Sequence, residues 1–167
     1  MKVRKGIDPS EPRAQYAALP WRRAATLEIL LVSSRETRRW VLPKGWPMKG
    51  RKPHAAAAQE ALEEAGIVGK IAKAPIGAYH YVKRMKNGAA QPCEVTVFPF
   101  EVERERKSWP EKHERIRKWF GVEDAAEAVH EPELREVILE FGSVEEAPLK
   151  KLKGKSSGSK KATASFG

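Results

Sequence analysis

Glu60, Glu63 and Glu64 stand within five positions of one another in the stretch Ala-Gln-Glu-Ala-Leu-Glu-Glu-Ala-Gly-Ile, residues 58–67. On a helix, side chains three and four apart share a face, so these carboxylates crowd one patch. Like charges that close destabilise a helix unless something positive sits among them. A hard divalent cation meets that need. Mg²⁺ takes oxygen ligands and keeps positions open for water and for substrate phosphates. The plainer reading of a bare Glu-x-x-Glu-Glu is a solvated acidic face, and the flanking residues decide between the two.

Those flanks describe how the carboxylates would be positioned. Residues 40–47, Trp-Val-Leu-Pro-Lys-Gly-Trp-Pro, read as a short apolar strand running into a loop. Pro53 suits the first turn of a helix, where a missing N–H costs little. The alanines at 55–58 favour helix strongly. Gly66 ends it, because glycine accepts the left-handed conformation found at helix C-termini.

In this order the segment 45–67 resembles the Nudix box, G-x5-E-x7-R-E-U-x-E-E-x-G-U, where U is aliphatic. Gly45, Glu60, Glu63, Glu64, Gly66 and Ile67 match it without gaps, and Ala61 takes the first U. Arg51 stands where the pattern has Glu, and Gln59 where it has Arg. The resemblance implies that this lost pair would brace the loop against the helix. Losing both members leaves no unpaired charge behind. Short matches at 41–45, 63–66 and 115–120 look most like the branch of diphosphoinositol and diadenosine polyphosphate phosphohydrolases.

The resemblance implies a Nudix-type α/β/α sandwich with a mixed sheet. It also implies a metal-dependent hydrolase of phosphoanhydride bonds. Glu60 and Glu64 would bind Mg²⁺, with Mn²⁺ as the alternative ion. Glu63 would be a third ligand or the base, so Glu63 and Glu64 are the catalytic candidates. A backbone carbonyl near Lys44 or Gly45 would add a ligand, and Glu94 or Glu101 would supply another. Two further readings stay open: an enzyme of this fold acting on another nucleotide or on an RNA 5′ end, and a non-catalytic phospholigand-binding module.

Substrate contacts are expected from cations. Arg115 and Arg117 are two apart and would project from one face of a strand. An arginine fork donates to two phosphate oxygens at once. Arg13 and Lys44 complete the expected substrate-binding set, with Arg22 and Lys83 as further rim candidates. The partner implied is a phosphate-rich small molecule. Trp109, Trp119 and Phe120 read as core or wall residues, and the four histidines show no ligand spacing.

The chain has 167 residues, 41% of them hydrophobic, which suits one domain with a real core. A single cysteine, Cys93, excludes an internal disulfide and fits a reducing, cytoplasmic setting. No window is apolar enough to span a membrane, and the charged start shows no secretory signal. The net charge is +10, and residues 148–167 hold six lysines and no acidic residue. That stretch reads as a basic, disordered tail, solubilising in the first instance. Weak binding of a polyanion such as nucleic acid is the alternative. Residues 1–13 read as irregular and 14–147 as the domain. Within it, strands are expected at 16–21, 27–33, 71–83 with a break near Pro75 and Gly77, 94–103 and 115–120, and helices at 122–129 and 131–141. Pro99 marks an edge strand or a bulge. Nothing in the sequence fixes the oligomeric state.

Overall fold

The computed structural model describes the backbone of residues 10–155 and the side chains of residues 10–146. In chain order the strands and helices are β1 (Arg13–Arg23), β2 (Leu27–Ser33), β3 (Trp40–Val41), β4 (Lys44–Gly45), α1 (Pro53–Glu60), β5 (Ile67–Ile71), β6 (Gly77–Arg84), β7 (Ala90–Glu105), β8 (Arg117–Gly121), α2 (Val122–Ala128) and α3 (Pro132–Lys155). Between α1 and β5 the helix widens into a π-turn, Ala61–Ala65.

Among the described residues the strands form one eight-stranded sheet along the path β3-β2-β1-β7-β5, with β4 on β1, β6 on β7 and β8 on β2. β1 and β7 run parallel, and the other pairs are antiparallel. The sheet is mixed because β1 and β7, separated by β2 to β6 in the chain, lie side by side in parallel.

Alternation along the central strands sends side chains to two cores. Ala17, Leu19, Ile29 and Leu31 meet Ala125, Leu134, Ile138 and Phe141 from α2 and α3. Ala18, Leu30 and Val32 face the other way, onto Ala57, Ala61 and Ala65. The alanine run brings α1 close to the sheet, so carboxylates one turn away can reach the end of β4. This is the expected α/β/α sandwich.

Pro99 does not mark an edge. It lies in β7 between β1 and the β5–β6 side, opposite Leu19. β6 pairing stops at Val97 and β5 pairing starts at Phe100. Proline's missing N–H therefore falls at the seam between two partner strands, while its carbonyl still accepts Ala72 N–H at 2.8 Å. The break expected near Pro75 and Gly77 is present: β5 ends at Ile71 and β6 begins at Gly77.

The boundary expected at 147 falls inside α3. The remainder of the basic tail, and with it the nucleic-acid reading, lies outside the described residues, as does most of the irregular N-terminal segment. Among the described residues no helix is long and apolar enough to cross a membrane.

Candidate active site

The site is built where α1 passes into the π-turn above the Lys44–Gly45 strand. Gly45 allows the approach, because a Cβ there would overlap the Glu60 carboxylate. Glu64 is buried, at 7% exposure. Its carboxylate accepts Lys44 backbone N–H at 3.3 Å, and Arg115 Nη2 lies 3.6 Å away. Glu60 and Glu64 line one cleft of about 240 Å³ together with Gln15, Lys44, Glu111 and Arg115.

Electrostatics set these two carboxyls apart. Burial, then the charge and hydrogen bonding of Glu64, push the Glu60 carboxyl up to about 8. Burial also raises Glu64, against the opposing charges of Arg115 and Lys44. A buried and a half-buried carboxyl that oppose each other's ionisation would be favoured as a charged pair by a cation.

Among the described residues no three His, Cys, Asp or Glu side chains converge on one ion position. Glu60 and Glu64 are the two box carboxylates that line the cleft. This fits Mg²⁺, which usually takes one or two carboxylates, retains waters and accepts substrate phosphates. Glu60 and Glu64 are the residues that would hold it.

A pH dependence follows. In the metal-free chain the Glu60 carboxyl has a higher pKa folded than unfolded, so the folded state binds more protons between the two values. Stability is greatest below about 4.5, falls as pH rises, and levels off above about 8. A cation prefers the ionised pair, so the rise in Tm on adding Mg²⁺ should grow across the same window. Melting curves from pH 5 to 9, with EDTA and with Mg²⁺, check this. A metal-induced increment that is flat with pH would refute it.

Glu63 is not brought into the cleft. Its carboxylate accepts Gln59 Nε2 at 2.7 Å, four residues back on the helix. The third expected carboxylate is thus engaged by the residue that replaces the box arginine. Glu94 lies 3.9 Å from His80, and Glu101 lines a separate groove beside Lys70.

The carboxylate missing from the sequence reading is Glu111. It lines the cleft and accepts Arg115 Nε at 2.6 Å. The signal was present, since Glu111 and Arg115 are an i, i+4 pair of opposite charge.

The paired arginines are corrected as well. β8 begins at Arg117, and Arg115 precedes it in a loop, so they do not share a strand face. Arg115 is 9% exposed at its side chain, bonds Glu111, donates Nη1 to Ser33 O at 3.1 Å and sits beside Glu64. Arg117 turns to the end of the helix that carries Glu60 and Glu64. It donates to Ala65 O at 2.9 Å and to Arg106 O at 2.8 Å, and stacks 3.9 Å from the Trp109 ring.

Trp109 Nε1 and Glu111 N–H take the Glu64 and Glu63 carbonyls. A helix end leaves its last carbonyls without partners, and a cation there also meets the negative end of the helix dipole. Arg117 is therefore a cap on that helix. Its guanidinium is committed to backbone carbonyls, away from substrate.

Arg13 stacks on Trp46, 4.3 Å from the ring, and Trp46 lines the cleft. Arg22 is held by Glu28 and Glu105. Lys44 and Lys83 both line the cleft, with Arg35, which the sequence reading did not single out.

The NUDIX domain family matches residues 12–141 of the chain. The chain belongs to that family. Nudix hydrolase 12, mitochondrial, of Arabidopsis thaliana is 32% identical over 120 residues, covering 69% of this chain and 58% of that protein. The chain thus spans less than two thirds of that relative's length. Diphosphoinositol polyphosphate phosphohydrolase 3-alpha of Mus musculus is 32% identical over 130 residues, 75% of each protein. Among solved structures, a C. elegans Ap4A hydrolase binary complex superposes with a TM-score of 0.60 at 21% identity, over 79% of this chain and 96% of that one. At that identity the likeness is one of fold. Glu60 and Glu64 therefore sit on a Nudix scaffold, in the helix that bears the box.

Proposed function

We propose that this Nudix chain is a divalent-metal-dependent pyrophosphohydrolase that cleaves a phosphoanhydride bond in a highly anionic small molecule, an inositol pyrophosphate or a dinucleoside polyphosphate. The observation that supports it is the polarity of one cleft. Glu60 and Glu64 form one wall, and Arg35, Lys44, Lys83 and Arg115 gather around them.

A bound Mg²⁺ or Mn²⁺ would supply Lewis acidity and a water of lowered pKa. The chain's own residues do the rest. Glu60 and Glu64 present the ion ligands. Arg115 holds Glu64 and Glu111 in place and offsets their charge. Lys44, Lys83 and Arg35 attract and orient phosphates in a partly water-excluded cleft, where fixed charges act strongly. Glu63, bonded to Gln59, is left out of the ligand set.

Names of relatives point the same way: one is a diphosphoinositol polyphosphate phosphohydrolase, another structure an Ap4A hydrolase. Trp46 in the cleft wall would also allow a nucleobase to stack, which keeps the dinucleotide arm in play. Cys93 is buried and free, which suits the reducing setting read from the sequence, and the Arabidopsis relative carries a mitochondrial name.

The test is a panel of an inositol pyrophosphate, diadenosine tetraphosphate, ADP-ribose and a 5′-triphosphorylated RNA. Each is assayed with Mg²⁺, with Mn²⁺ and with EDTA. Metal-dependent release of phosphate or nucleotide from either of the first two supports the proposal. Turnover confined to the RNA or to ADP-ribose moves the chain to another substrate class. Binding without turnover of any substrate makes it a phospholigand-binding module.

A further inference from the structure

Tyr79 on β6 takes no part in the chemistry argued so far. The cleft has a second compartment, about 210 Å³, which shares Arg35, Lys44, Tyr81, Lys83 and Arg115 with the first. Tyr79 lines only this second compartment, and Glu60 and Glu64 line only the first.

The Tyr79 side chain packs in the core at 1% exposure. Among the described residues its hydroxyl has no hydrogen-bond partner. Neighbouring Tyr81, by contrast, donates to Gln15 at 2.7 Å. Burying an unpaired hydroxyl is costly, and phenylalanine would fill nearly the same volume without that cost.

Lys44 faces the same space. Its ammonium has no ion pair or side-chain hydrogen bond among the described residues, and lies 4.9 Å from the Tyr81 ring centre. Burial pulls its pKa down, and the charges of Glu64 and Glu131 act against that. A buried hydroxyl without a hydrogen-bond partner and a half-buried ammonium without an ion pair line one cavity.

We propose that the second compartment is a phosphate subsite, in which Tyr79 Oη donates to a phosphoryl oxygen on the uncleaved part of the substrate and Lys44 Nζ supplies the countercharge. This rests on the pyrophosphohydrolase reading for its substrate, and on Tyr79 and Lys44 alone for its anion. Glu131 also lines the compartment and repels a phosphate placed against it. Its charge also acts on Lys44 and Tyr79, so the Lys44 ammonium has to outweigh it for an anion to bind. Tyr79 is a specificity residue here: it acts on a phosphate next to the reacting one.

The test is Tyr79→Phe in the full chain, with two readouts. Calorimetry with inorganic tripolyphosphate in EDTA measures the anion site without turnover. The expected result is a Kd raised roughly tenfold, the size of one hydrogen bond to a charged group. The Tm should hold or rise, because the hydroxyl has no protein partner to lose. With Mg²⁺, KM should rise by a similar factor while kcat changes little. Equal tripolyphosphate binding by both proteins, or none by the wild type, overturns the subsite. So does a fall in Tm with unchanged Kd, which would make the hydroxyl structural. If neither protein hydrolyses anything but the tenfold difference in binding persists, the subsite stands and the hydrolase reading fails.

Discussion

Glu64→Gln should lower kcat by roughly 100-fold or more at saturating Mg²⁺, as expected when metal-assisted charge stabilisation is lost. The amide keeps the carboxylate's shape and can still accept the Lys44 N–H. What it loses is the negative charge that pairs with Glu60 around an ion. The fold should persist, since Arg115 keeps its 2.6 Å contact with Glu111. Removing one of the two opposing carboxyls also relieves the strain on Glu60. In EDTA the Tm should therefore match or exceed that of the wild type, while the Mg²⁺-dependent rise in Tm disappears. Wild-type turnover under saturating Mg²⁺ would remove Glu64 from the ligand set.

Arg115→Ala should act first on stability. The guanidinium lies between Glu64 and Glu111 and caps the Ser33 carbonyl, with its side chain 9% exposed. Deleting one partner of a buried pair leaves the other charge uncompensated, at about 3–5 kcal/mol. For a chain of this size that corresponds to a Tm lower by roughly 10 °C in EDTA. Mg²⁺ can offset part of the freed carboxylate charge, so the metal-induced rise in Tm should be larger in the variant than in the wild type. The sequence reading gave Arg115 a direct substrate role. An unchanged Tm with KM raised only for the most phosphorylated substrate would restore that role.

What was legible in the sequence was local. Glu60 and Glu64 are one helical turn apart, so their meeting depends on helix geometry alone. Gly66 sits where a left-handed cap is needed, with φ of 67°. The aliphatic run at Leu27–Ser33 became β2 with the expected bounds. The errors came from contacts between distant segments. Arg117 caps a helix end some fifty residues earlier in the chain. Two-residue spacing could not show that, nor that β8 begins two residues too late to include Arg115. Pro99 was read as an edge or a bulge because a lone strand does not reveal that its partner side is shared by two strands. Glu63 was counted with the other carboxylates because regular helix geometry was assumed. The π-turn and the Gln59 bond change which side chains converge. Tyr79 gave no signal, since a tyrosine in an apolar strand normally means core.

The cleft has two walls that come from different parts of the chain. Glu60, Glu64, Glu111 and Arg115 form one, locked together with the helix end by Trp109 and Arg117. Tyr79, Tyr81, Lys83 and the segment around Arg35 and Arg39 form the other. Substitutions on the second wall meet little of the network that supports the first. The 34–39 loop and the exposed positions of β6 can thus change and alter which molecule is admitted, while the wall of Glu60, Glu64, Glu111 and Arg115 leaves far less room for change. Descendants of such a chain would diverge in diet before they diverged in chemistry.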